Sequence, residues 1–158
     1  MARSTKQKRI AIFVGSFNPF TIGHADIVSR AIQLFDELVI GVGCNPDKEK
    51  TTDTKKRAKE IKKLYSSEPR IKVEAYEGLT VEFAKKHGAS VIVRGMRNTA
   101  DFEYERNQAE CNRLIDDSIE TVTLFTKPEL APISSTLIRT LREFNVDVSD
   151  YIPNLSIK

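Results

Sequence analysis

The amino-acid sequence predicts an α/β fold, a doubly wound five-stranded parallel sheet, and three observations carry that expectation. Five short apolar runs alternate with segments of helical length and period, the pattern that makes parallel strands with right-handed crossovers. The 158 residues fit one domain, 1–158, with 1–8 as a flexible basic N-terminus. The residues with distinctive chemistry fall after the carboxyl ends of the runs, where open α/β sheets bind their ligands.

The elements follow in order. Ile10–Val14 is apolar, rich in β-branched residues and closed by Gly15, which reads as a buried strand. Ser16-Phe17-Asn18-Pro19-Phe20 breaks regular structure, and a helix is expected from Gly23 to Phe35 with Ile27, Ala31, Leu34 and Phe35 on its apolar face. Glu37 to Gly43 is the second strand, ended by Asn45-Pro46-Asp47, and Lys48 to Asp53 reads as a mobile loop. Thr54 opens a charged helix that turns Ala58, Ile61 and Leu64 inward. The third strand is Ile71–Ala75, with a short helix from Thr80 to His87 after it. Val91–Val93 is the fourth strand, ending in a tight turn at Arg94-Gly95. A helix from Phe102 to Asp116, a fifth strand at Thr121–Phe125 and a last helix from near Ser134 to Phe144 complete the chain.

Composition narrows the classes of function. Hydrophobic residues are 40% and charged residues 30%, as in soluble globular proteins. No apolar run approaches the ~20 residues that span a bilayer, and the basic start has no apolar stretch ending in a cleavage site, so a cytoplasmic protein without membrane contact is expected. The net charge of +3 is small, and its Lys-rich stretch from Lys48 to Lys63 suits a solvated helix or an anionic small molecule better than nucleic acid. Cys44 and Cys111 lie in no metal-ligand spacing and read as free thiols.

At the ligand edge there is neither GxGxxG nor GxxxxGK[ST], so phosphate must be held another way. Two helix starts, Gly23-His24 and Ser134-Ser135, bring free N–H groups and positive dipole ends to that edge. His24 follows a Gly/Pro turn there, which marks it as functional, whereas His87 before Gly88 reads as a surface or helix-end residue. Arg94 and Arg97 offer planar donors for phosphate, and Lys48 is the best placed of its lysine group. Ser134, Ser135 and Thr136 serve equally as a cap or a phosphate cradle. Cationic groups and amide donors without a nucleophile–base pair suit phosphoryl or nucleotidyl transfer, where positioning and charge stabilisation dominate.

Gly15-Ser-Phe-Asn-Pro19, Thr21-Ile-Gly-His24 and Ile133-Ser-Ser-Thr-Leu-Ile-Arg139 together resemble the nucleotidyltransferase superfamily with TxGH and ISSTxxR motifs, whose fold is Rossmann-like. Within it, Arg94-Gly-Met-Arg97, Asp101-Phe-Glu-Tyr-Glu105 and Asn112-Arg113 resemble the bacterial phosphopantetheine adenylyltransferases, and the resemblance runs from residue 9 to 153. Ser16 and Asn18 stand where many members carry Thr and Asp. The resemblance implies reversible transfer of AMP from ATP to 4′-phosphopantetheine, giving dephospho-coenzyme A and pyrophosphate, by direct in-line attack. It also implies Mg²⁺ held mainly by the ATP phosphates, a homohexamer, and coenzyme A as a feedback ligand.

Carried over by position, His24 would stabilise the transition state on the α-phosphate, with Lys48 as the second catalytic residue. Ser16, Phe17, His24, Gly95, Met96, Arg97, Glu105, Leu130, Ala131, Pro132, Ile133, Ser134, Ser135 and Thr136 would bind ATP. Ser16, Lys48, Thr80 and Arg94 would bind the acceptor. The alternatives are an adenylyltransferase acting on nicotinamide mononucleotide, and a non-catalytic adenine-nucleotide-binding module.

Overall fold

The computed structural model describes residues 7–43 and 53–154. Five parallel strands, β1 (Ile10–Gly15), β2 (Glu37–Gly43), β3 (Ile71–Tyr76), β4 (Val91–Met96) and β5 (Glu120–Phe125), form one sheet in the order β3-β2-β1-β4-β5. The helices between and after them are α1 (Ile22–Leu34), α2 (Thr54–Leu64), α3 (Thr80–Lys86), α4 (Thr99–Ile115) and α5 (Ser135–Glu143). The doubly wound parallel sheet expected from the sequence is therefore the fold.

The period of two along the central strands divides the core. Ala11 and Phe13 of β1 with Leu38, Ile40 and Val42 of β2 pack against Ile27, Val28, Ala31 and Ile32 of α1 and Ala58 and Ile61 of α2. Ile12, Val14 and Val39 turn to the other face, onto Val81, Phe83 and Ala84 of α3. Each fully buried Ile or Leu contributes on the order of 1.5–3 kcal/mol. Gly41 makes the second layer fit, because a Cβ there would sit 2.5 Å from the Phe83 ring.

Three local expectations change. Leu34 is 47% exposed, while Val28 and Ile32 are buried and Phe35, the C-cap, packs against the core as expected, so only Leu34 leaves the apolar face of α1. β4 does not turn at Arg94-Gly95 but continues to Met96, because β5 pairs with it as far as Phe125. α4 starts at Thr99 rather than Phe102, since the Asn98 side chain caps it by accepting from the Asp101 N–H at 2.9 Å. Lys48 and the rest of residues 44–52 lie outside the described residues.

Candidate active site

The site begins where two neighbouring strands part. β1 pairs with β4 only from Ala11↔Val91 to Phe13↔Val93. Beyond that, Val14 and Gly15 pair with β2 alone, while Arg94, Gly95 and Met96 pair with β5 alone. This is the switch point of the sheet, and the divergence opens a cleft there. The Arg94 guanidinium spans the gap by donating Nη1 to the Val14 carbonyl at 2.5 Å, where the ladder has stopped.

His24 enters this cleft from the first turn of α1. Thr21 is the N-cap, and its hydroxyl accepts from the His24 N–H at 3.4 Å. The ring reaches back, so that Nδ1 accepts from the Thr21 backbone N–H at 3.0 Å and lies 3.1 Å from the Thr21 hydroxyl. An Nδ1 that accepts from an amide carries no proton, so the proton of the neutral ring is on Nε2. Burial, with Arg97 and Arg94 adding to it, lowers the imidazole pKa from 6.5 to about 4. Near neutral pH His24 is therefore an uncharged donor whose Nε2–H makes no hydrogen bond among the described residues. Phe17 packs edge-on against it with ring centroids 5.1 Å apart, and Phe20 lies 5.4 Å away, which fixes the ring plane. Gly15 admits this packing, since a Cβ there would lie 3.0 Å from the Phe17 ring.

A second helix start faces the first. Ser134 caps α5 by accepting from the Leu137 N–H at 3.0 Å. Ser135 donates to the Pro19 carbonyl at 2.8 Å, and Arg139 donates to the Asn18 carbonyl at 2.5 Å. The serine and arginine of this motif thus clamp the loop between β1 and α1. Arg57 of α2 takes the Ser16 carbonyl at 3.0 Å.

The two arginines after Val93 are held by carboxylates. Arg94 forms a fork on Glu105 at 2.6 and 2.7 Å, and Glu105 keeps the guanidinium charged against the opposing effect of burial. Arg97 forms another on Asp101 at 2.9 and 3.0 Å. Both guanidinium groups retain N–H bonds beyond those spent on carboxylates, because Arg has five in all.

A cavity of about 270 Å³ lies in the cleft, with Ser16, His24, Arg97 and both helix starts on its wall. A larger one of about 600 Å³ adjoins it, shares Ser16, Arg94 and Arg97, and extends to Tyr76, Thr80 and Tyr104. The arrangement offers amide donors, a neutral imidazole donor and guanidinium groups to two anions side by side.

The cytidylyltransferase-like family matches residues 12–141. A phosphopantetheine adenylyltransferase of Phocaeicola vulgatus is 50% identical over 92% of this chain and 95% of its own length. That of Bacteroides fragilis is 50% identical over 92% and 96%, and that of Cytophaga hutchinsonii 43% over 92% and 97%. The chain belongs to the phosphopantetheine adenylyltransferase family. A solved structure from Vibrio parahaemolyticus, assigned as a nicotinate-nucleotide adenylyltransferase, covers 95% of this chain and 90% of its own with a TM-score of 0.65. Its 18% identity makes it a likeness of fold.

As a member of the phosphopantetheine adenylyltransferase family, the chain is a nucleotidyltransferase, and most of the residues singled out in its sequence meet in the cleft. Ser16, Phe17, His24, Arg94, Gly95, Arg97, Glu105, Ile133, Ser134, Ser135 and Thr136 all line the smaller cavity. Thr80 lines the adjoining one, where its hydroxyl meets that of Tyr76 at 3.2 Å. Met96 pairs with Phe125 at the end of β4, and Leu130, Ala131 and Pro132 form a turn before α5; none of these four lines either cavity. Phe17 is only 3% exposed and packs in the core, although it borders the cavity. Sequence reasoning gave no role to Arg57, Arg139, Asp101 or Tyr76. Arg97 precedes the Asn98 cap of α4, so no helical spacing announced its pairing with Asp101; Arg57 in a Lys-rich helix carried no signal either.

Proposed function

We propose that this chain transfers AMP from ATP to 4′-phosphopantetheine, releasing pyrophosphate and forming dephospho-coenzyme A. The shared naming of relatives up to 50% identical over 92% of the chain supports the reaction. The observation that carries the mechanism is His24, an uncharged imidazole with Nδ1 fixed by Thr21 and Nε2–H left to a ligand.

The acceptor is already an anion, so no base is needed to deprotonate it. An oxygen of its phosphate attacks the α-phosphorus of ATP, the α–β anhydride bond breaks, and pyrophosphate leaves in line with the attack. His24 Nε2–H donates to the α-phosphate oxygen on which charge grows, a role that does not require a cation. The starts of α1 and α5 attract the triphosphate, with Arg97 and the Ser134–Thr136 segment beside it. Arg94, Thr80 and Lys48 receive the acceptor, and Ser16 lies between the two substrates. Magnesium, when bound, neutralises triphosphate charge. The phosphates themselves are the ligands this reading gives it, because Asp101 and Glu105 in the cleft are engaged by Arg97 and Arg94.

Residues 1–158 act as one nucleotidyltransferase domain in the cytoplasm, where ATP is available. Phe102, Leu114, Ile115 and Phe125, from 46% to 89% exposed, support self-association, and a hexamer is the proposed state. Coenzyme A would inhibit by spanning the two adjoining cavities, since it joins an adenine nucleotide to a pantetheine arm. Light scattering tests the assembly and added coenzyme A the inhibition.

Pyrophosphate release with ATP and 4′-phosphopantetheine, beside ATP and nicotinamide mononucleotide, tests the activity, and only the first pair should react. Arg94→Ala is expected to weaken acceptor binding while ATP affinity stays nearly unchanged; the opposite result would reverse the assignment of the two cavities. Inversion at a chiral α-phosphorothioate is the expected stereochemistry, and retention would replace in-line attack with a covalent intermediate.

A further inference from the structure

Arg57 is out of keeping with its surroundings. It sits in the first turns of α2 between exposed lysines, yet it is 9% exposed and gives its Nε–H to the Ser16 carbonyl at 3.0 Å. It lines a cavity of about 380 Å³ behind the loop, together with Phe17, Asn18, Pro19 and Phe20, and lines neither of the two cavities in front, whereas Ser16 lines both of those and not this one. The Ser16 carbonyl therefore points away from the cleft. The Ser16–Phe17 peptide is trans, so its N–H points opposite to that carbonyl. Phe17 has φ 47°, a left-handed conformation of the kind that turns amide N–H groups into anion-binding concavities. Its N–H donates to nothing among the described residues, although Phe17 borders the cleft and its ring is buried.

We propose that Arg57 is a positioning residue for adenylyl transfer. By holding the Ser16 carbonyl behind the loop, it aims the Phe17 N–H into the phosphate cleft. This makes α2, which supplies no side chain to the cleft wall, part of the apparatus that places the nucleotide. The inference rests on the reading of the cleft as the ATP phosphate site.

The test compares wild type, Arg57→Ala and Arg57→Lys. It measures ATP affinity by titration without acceptor, steady-state kinetics with both substrates, and the melting midpoint. Arg57→Ala is expected to lose up to ~10²-fold in kcat/KM for ATP, the scale of a group misplaced by about 1 Å, while KM for 4′-phosphopantetheine stays within about twofold. Arg57→Lys keeps the charge and one donor and should recover part of that loss. Millimolar guanidinium should restore activity to Arg57→Ala and leave wild type unchanged. Arg57→Ala with wild-type ATP affinity and kinetics would overturn the inference. So would a loss that follows the melting midpoint and that neither lysine nor guanidinium repairs. If wild type forms no pyrophosphate, the proposed reaction fails, and the ATP titration still decides the role of Arg57.

Discussion

The two histidines of this chain occupy mirror-image settings, Gly23-His24 at the start of α1 and His87-Gly88 at the end of α3. At the helix start, His24 takes its own cap's N–H on Nδ1, and burial and two arginines keep it uncharged. At the helix end, Gly88 adopts φ 65° and closes the helix, while His87 Nε2 lies 2.9 Å from Glu74 Oε2 without hydrogen-bond alignment. Lys86 also pairs with Glu74 and, with His87 contributing less, holds that carboxyl below its usual range. The difference is one of dipole ends and company. A helix start buried beside arginines holds a neutral donor aimed at the cleft, whereas the histidine at the helix end faces a carboxylate that Lys86 already engages.

His24→Ala is the sharpest way to break the comparison. It should lower kcat by ~10²-fold or more, as loss of one oxyanion donor does, with both substrates still bound in titrations. His24→Gln, which keeps an N–H donor, should lose less. Equal turnover in wild type and His24→Ala would move His24 to the structural side with His87.

The pH dependence sharpens the same contrast. The folded-state pKa of His24 is about 4 against 6.5 for the free side chain, so the unfolded chain binds its proton first. Stability from this group is full above pH 6.5 and is lost as pH falls towards 4. The drop in melting temperature between pH 7 and pH 4.5 should therefore be smaller in His24→Gln than in wild type. Activity should show no step near pH 6.5 that the His24→Gln variant lacks.

Thr21→Val removes the capping hydroxyl and leaves the backbone donor. A loss of about 1 kcal/mol in urea unfolding is expected for the cap, together with a smaller fall in kcat than His24→Ala gives. Unchanged stability would mean that the 3.4 Å contact to the His24 N–H contributes nothing. The smallest effect belongs to His87→Gln. It should change stability by no more than about 1 kcal/mol, since its Nε2 has no aligned hydrogen bond to lose, and leave kinetics untouched; a kinetic defect there would tie α3 to the chemistry.

The order of strands and helices, the two helix starts and the place of His24 were all legible in the sequence, because each is written in local terms. The period of two or 3.6, a Gly or Ser at a cap and a Pro in a turn act within a few residues of themselves. Leu34 and the start of α4 were misplaced by less than a turn, where capping and the docking of the helix decide. Arg94 to Met96 read as a turn because nothing local announces that β5 will pair with them to the end.

What only the tertiary structure decided is how distant parts hold one another. The parting of β1 from β4, the forks of Arg94 on Glu105 and Arg97 on Asp101, and the grip of Arg57 and Arg139 on one loop arise from elements that meet in space. Arg57 and Ser16 are 41 residues apart, and a lysine-rich helix hides an arginine that turns inward. The sequence by itself determined that a histidine stands at a helix start on the ligand edge. The packing of Phe17 against it, the clamp from α5 and the two nearby arginines decided that it is held in one plane and kept uncharged. Local pattern sets where a side chain begins, and burial and neighbouring charge set the state in which it acts.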